Sequence, residues 1–178
     1  MPSPLERLRE LLGEPACWGW ARPSLWEAAE EHLGTALPPD YKAFLDLYGP
    51  GAFEGFLWID RPVDGSPEEL ERLWPTSGPG SHLEHPERRP FPIHPDPGGL
   101  ILWGGAEDGM GFYYFLPEEP DPADWRIVIQ DEDDNWEEAP GPFTDFLLDL
   151  ARGTSLVDHF RGYRPGPTVR YHPSPPSP

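Results

Sequence analysis

Residues 25–59 read LWEAAEEHLGTALPPDYKAFLDLYGPGAFEGFLWI, and a change of period inside this stretch decides the class of fold. Leu25, Ala28, Ala29 and Leu33 recur at helical spacing on a helix that Ser24-Leu25-Trp26-Glu27 opens as a capping box and Gly34 stops. Pro39 opens a second helix, in which Tyr41, Phe44, Leu45 and Tyr48 again fall three and four apart before Gly49 ends it. From Gly51 the spacing shortens, and Phe53 to Ile59, closed by Asp60 and Pro62, predicts a first strand.

Outward from this stretch, Ser3-Pro4-Leu5-Glu6 and Ser66-Pro67-Glu68-Glu69 repeat the capping-box grammar and predict short helices ending at Gly13 and near Trp74. Residues 75–99 hold seven prolines and no period, which predicts a long irregular insertion. Leu100 to Trp103 and Phe112 to Leu116 flank the glycine-rich connection 104–111 and predict a hairpin. Trp125 to Gln130 predicts a further strand, Asp131 to Asn135 a turn, and the residues around Trp136 a short returning strand. Phe143, Phe146, Leu147, Leu150 and Ala151 mark a closing helix that Gly153 stops, with one more helical turn at 156–160. The expected class is therefore α+β: a mainly antiparallel sheet of about five to six strands with helices at the N- and C-terminal ends. The domain is expected over 1–160. Residues 161–178, with six prolines, three arginines and no acid, are expected to form a Pro/Arg-rich flexible tail.

Composition narrows the function. Thirteen Lys+Arg against 32 Asp+Glu leave a net charge of −19, which opposes binding to nucleic acid or to an anionic membrane and favours a basic partner. Pro and Gly are abundant at 27 and 19, but eight Trp, nine Phe and six Tyr supply a core that disordered chains lack. The single cysteine, Cys17, closes no internal disulfide, no apolar run has the ~20 residues of a membrane span, and the charged start MPSPLERLRELLGEP is unlike a signal peptide, so a cytoplasmic protein is expected.

The spacing of Leu33-Gly34, Leu37-Pro38, Asp40-Tyr41 and Phe44-Leu45, followed by Gly49 and Gly51, resembles the SUKH superfamily of immunity and regulatory proteins. The pair Ile101-Leu102, the strands at 112–116 and 125–130 and the helix FTDFLLDLARG follow in that family's order, so the resemblance spans about residues 3–160 and leaves the insertion and the tail outside. It implies a SUKH-like α+β domain that works without catalysis. Many bacterial members neutralise polymorphic toxins delivered between cells by binding the toxin domain directly; others are intracellular regulators. The motif residues themselves read as structural: Gly34 and Gly49 stop helices, Pro38-Pro39 opens one, and Tyr41, Phe44 and Leu45 are core.

The residues that carry function by this reading lie in 118–138, where ten carboxylates accompany one base, Arg126. Glu118, Glu119, Asp121 and Asp124 precede a predicted strand, and Asp131, Glu132, Asp133 and Asp134 follow it, beside Trp136. Such a stretch is either a solvated acidic face or a patch for a basic protein, and a toxin that acts on nucleic acid presents the basic groove such a patch fits. Glu118, Glu119, Asp131, Glu132, Asp133, Asp134 and Trp136 are the candidate partner-binding residues, with Trp125 and Trp58 as further aromatic anchors. The arginines of the tail, Arg161, Arg164 and Arg170, are expected along this acidic surface in competition with the partner.

Other chemistries fit less well. Asp131-x-Asp133-x-Asn135 begins a calcium loop, but Trp136 stands where the loop needs Gly and Pro142 where it needs Glu. His82, Glu84 and His85 lack the zinc spacing, and the glycines of 104–111 lack both the dinucleotide register and a Walker lysine. No catalytic residue, metal or cofactor is assigned. A regulatory or scaffold module of the same fold is the alternative, and a hydrolase using the acidic cluster with a divalent cation is the minor one.

Overall fold

The computed structural model describes residues 2–15, 22–76, 89–106 and 111–174. Its helices are α1 (Pro4–Leu12), α2 (Pro23–Leu33), α3 (Pro39–Tyr48), α4 (Pro67–Leu73) and α5 (Phe143–Arg152). Its strands are β1 (Gly51–Phe53), β2 (Leu57–Ile59), β3 (Ile101–Ala106), β4 (Gly111–Leu116), β5 (Arg126–Asp131), β6 (Trp136–Ala139) and β7 (Tyr171–Pro173). They form one antiparallel sheet in the order β6-β5-β4-β3-β2-β1-β7, and the class is α+β.

The sheet exceeds the expected five to six strands for two local reasons. Phe53 to Ile59 is a hairpin rather than one strand, because Glu54 and Gly55 take left-handed φ values of 52° and 75° and fold β2 back on β1. The second reason is the tail. Tyr171–Pro173 pairs with β1, Val169 is buried, and Tyr171 packs edge-on against Phe44 at 5.3 Å while its hydroxyl donates to the Gly49 carbonyl at 2.7 Å. The expectation of a flexible tail is corrected over residues 161–174: few as its apolar residues are, each of these meets a core surface. Gly51 makes the approach possible, since a Cβ there would overlap the His172 carbonyl oxygen.

Helix starts follow the capping grammar with two corrections. In α1, Ser3 and Glu6 cap one another as the sequence predicts. Ser66 caps Glu69 in α4, but the Glu69 carboxylate turns to the N–H groups of Val63, Asp64 and Gly65 and so closes the preceding loop instead of completing a box. Helix α2 begins earlier than its Ser24 box, with Pro23 at the first helical position and Arg22 as an N-cap without a side-chain bond.

Strand alternation divides the apolar residues between two faces. One face carries Phe53, Leu57, Ile59, Trp103, Tyr113, Phe115, Ile127 and Ile129 against Tyr41, Phe44 and Leu45 of α3 and Phe143, Phe146 and Leu147 of α5. Tyr41 is at the centre, with Phe115 and Phe143 edge-on at 5.0 and 5.2 Å, and aromatic pairs of this geometry add ~0.5–1.5 kcal/mol each to simple burial. The opposite face is covered more thinly. Ile93, from the described end of the proline-rich insertion, and Leu100, just before β3, lie on Tyr114, Leu116 and Val128 there.

Candidate functional site

Strand β5 separates the acidic residues into two groups at its ends, about 17 Å apart at the usual rise per residue. At its start, Glu118 is exposed and accepts from Arg126 Nη2 at 2.6 Å, and the same guanidinium pairs with Glu138 on β6. Surface pairs of this kind contribute ~0–1 kcal/mol; here a single guanidinium, shared by two carboxylates, offsets one of the charges at this end. Glu119 is also exposed, while its backbone carbonyl accepts from the Trp125 indole at 2.8 Å. Trp125 is buried and packs on Phe115, so it is core and presents nothing to a partner.

At the other end, Asp131, Glu132, Asp133, Asp134 and Trp136 are together on the β5–β6 hairpin. Its geometry follows from its acids. Asp131 accepts through Oδ1 from the Asp133 and Asn135 N–H groups, each at 2.9 Å, and through Oδ2 from Asn135 Nδ2 at 2.9 Å. Partial burial alone would raise the Asp131 carboxyl, but these donors together hold it below its usual value. Asp134 takes the left-handed conformation, φ 61°, that closes a three-residue loop, and accepts from Gln130 Nε2 at 2.8 Å. Gln130 in turn accepts from the buried Tyr114 hydroxyl at 3.0 Å. Two of the predicted acids therefore shape the turn, which leaves Glu132 and Asp133 as the exposed charges at its tip.

Trp136 is half-buried, stacked on Tyr114 at 5.9 Å and near Phe91 at 6.3 Å, so part of its ring faces solvent beside those charges. Trp58 is half-buried on the same sheet face, and the register sets it across from Gly105, Phe112, Gln130 and Trp136 in one row.

Two residues of this surface, Asp158 and His159, lie outside the acidic stretch 118–138, and Glu137 within it takes a part that its position did not announce. Glu137 accepts from the N–H groups of Asp158 and His159, which pins the turn after α5 under β6. The result is a cleft of about 480 Å3 whose lining includes Asp131, Asn135, Glu137, Asp158 and His159. His159 lies 3.2 Å from the Tyr113 hydroxyl and Asp158 pairs with Arg161. Only the packing of α5 against the sheet brings 158–159 to 131–137, so spacing along the chain could not have revealed the cleft.

Arg170 adjoins β7, at the opposite edge of the sheet from β6, six strand spacings or ~29 Å away, whereas Arg161 pairs with Asp158 at the acidic end. The expected place along the acidic surface is corrected for Arg170. His82, Glu84, His85 and Cys17 lie outside the described residues, and among the described residues no group of three or more His, Cys, Asp or Glu side chains is placed to hold a metal. No helix among them is long and apolar enough to cross a membrane.

The family model of the SMI1/KNR4 family (SUKH-1) matches residues 21–149, from α2 through most of α5. No curated protein and no solved structure matches the chain.

Proposed function

The chain belongs to the SMI1/KNR4 family (SUKH-1), and from that premise we propose that it is a non-catalytic binding protein of the cytoplasm, an immunity protein that neutralises a cognate toxin domain by direct occlusion. The observation that carries this reading is the β5–β6 hairpin, whose exposed Glu132 and Asp133 stand beside the partly open ring of Trp136 in a chain of net charge −19. A toxin domain that acts on nucleic acid needs a basic groove, and charge of the opposite sign speeds its capture and excludes its substrate. Trp136 supplies the aromatic anchor that the long-range field cannot. Glu118 and Glu119 form a second, partly neutralised rim at the far end of β5.

Co-expression with candidate toxin domains, taken first from any encoded by neighbouring genes, tests the proposal. Growth should be restored by the native chain and lost with Glu132→Lys/Asp133→Lys at unchanged melting temperature. Growth restored equally by both proteins would remove the hairpin from the interface. Recovery of several endogenous proteins in place of one toxin would make the chain a regulatory module.

A further inference from the structure

We propose that β6 is a docking edge that accepts a basic β-strand from the partner protein and extends the sheet by one strand. This rests on the basic-partner reading above and adds how the partner is held. The sheet has two edges, and they differ chemically. The β7 edge is three residues long and ends at Pro173, which has no N–H to offer. Among the described residues no further strand pairs with the outer edge of β6. Asp131 N–H donates to the Asn135 carbonyl at 3.0 Å, which makes those two residues a hydrogen-bonded pair. Such pairs alternate along an antiparallel ladder, so Glu137 and Ala139 turn their backbone groups to β5 while Trp136 and Glu138 turn theirs outward. Among the described residues nothing bonds those outward N–H and C=O groups, a row that a further strand can complete.

The flanks of the edge select the strand. Side chains of an added strand alternate between faces and repeat every ~6.8 Å on each. Those on the outer face meet the Trp136 ring and the Glu138 carboxylate. Those on the inner face enter the cleft of about 480 Å3 where Asp131 and Glu137 carry charge that Arg161, paired to Asp158, does not cancel. An arginine or lysine fits that side. A second copy of this chain is disfavoured as the occupant, since it brings its own −19 charge and would oppose glutamate to glutamate across the new ladder.

The test uses the full chain and two synthetic peptides, one alternating arginine and valine, the other of equal charge with prolines replacing alternate valines so that it forms no strand. Calorimetry should show binding of the first only, with amide exchange slowed at Trp136 and Glu138. Glu138→Pro removes one outward donor while leaving the β5 ladder intact, and should weaken binding about tenfold or more; Glu138→Gln, which removes only a charge, should weaken it about threefold or less. A peptide N-methylated along the edge that faces β6 repeats the test without altering the protein, and should not bind. Equal binding of the strand-forming and proline peptides, or of native chain and Glu138→Pro, overturns the docking edge and leaves a charge-driven partner standing. Binding of neither peptide overturns the edge and the acidic-surface reading together.

Discussion

Asp40 shows how one side chain can join two distant parts of the fold. Its Oδ2 accepts from the Thr144 N–H at 2.8 Å and from the Thr144 hydroxyl at 3.0 Å, at the start of α5, where the N-cap residue Pro142 makes no side-chain bond. Thr144 is buried, so Asp40→Ala leaves its polar groups unpaired and should cost about 1–3 kcal/mol in urea unfolding. His94 gives a pH-dependent case. Burial first, and the neighbouring His32 second, hold its imidazole below the usual value, with Glu71 opposing, and its Nε2 is buried with no hydrogen-bond partner among the described residues. A depressed histidine stabilises the fold fully above the unfolded value of about 6.5 and loses that contribution as pH falls toward the folded one. His94→Gln should therefore flatten the loss of stability between pH 7 and pH 5, read by denaturant midpoints at each pH. Tyr41, Phe44 and Leu45 were legible as core because period alone assigns them to one face of α3. Asp40 was not, since nothing near it names Thr144. Arg61 was not either: it reads as a loop residue, yet it is buried and donates to the Pro62 and Leu45 carbonyls at 3.0 and 3.2 Å.

Helices were more legible than strands at the element scale, because caps and glycine stops are local signals whereas strand pairing is settled at a distance. The closing helix runs Phe143–Arg152 to a left-handed Gly153, as its period and glycine predict. The split of β1 from β2 rests on Glu54-Gly55, where only the glycine is a turn signal, between aromatic residues that suit a strand. Strand β7 was hidden by its prolines, which read as tail although Pro173 falls on a sheet edge, where proline is tolerated. Docking of β7 depends on the missing side chain at Gly51. Gly51→Ala should lower the melting temperature of the full chain by several degrees, a loss of ~1–2 kcal/mol, and should have much less effect in a chain ended before residue 161, where no β7 meets the new methyl group. Equal losses in both backgrounds would mean that the substitution acts on β1 alone.

The whole molecule carries 32 acidic residues against 13 Lys+Arg. A net charge of −19 destabilises a chain of this size by self-repulsion, and the exposed residues at the hairpin tip add to it. Glu132→Lys/Asp133→Lys should leave the melting temperature unchanged or raise it, and added salt should raise that of the native chain, both read by thermal unfolding at neutral pH. An acidic surface of this kind suits the basic partner proposed above. The legible part of the site was its charge, and the hidden part was its division: β5 sets Glu118 and Glu119 apart from the hairpin, and the fold brings Asp158 and His159 to Glu137. The most direct measurement is the dissociation constant of the cognate toxin domain at low and high salt, for the native chain and for Glu132→Lys/Asp133→Lys. A one-to-one complex that weakens with salt, and about tenfold or more with the charge reversal, is the expected result. An affinity indifferent to both, or no complex, would contradict capture of a basic partner by the acidic hairpin.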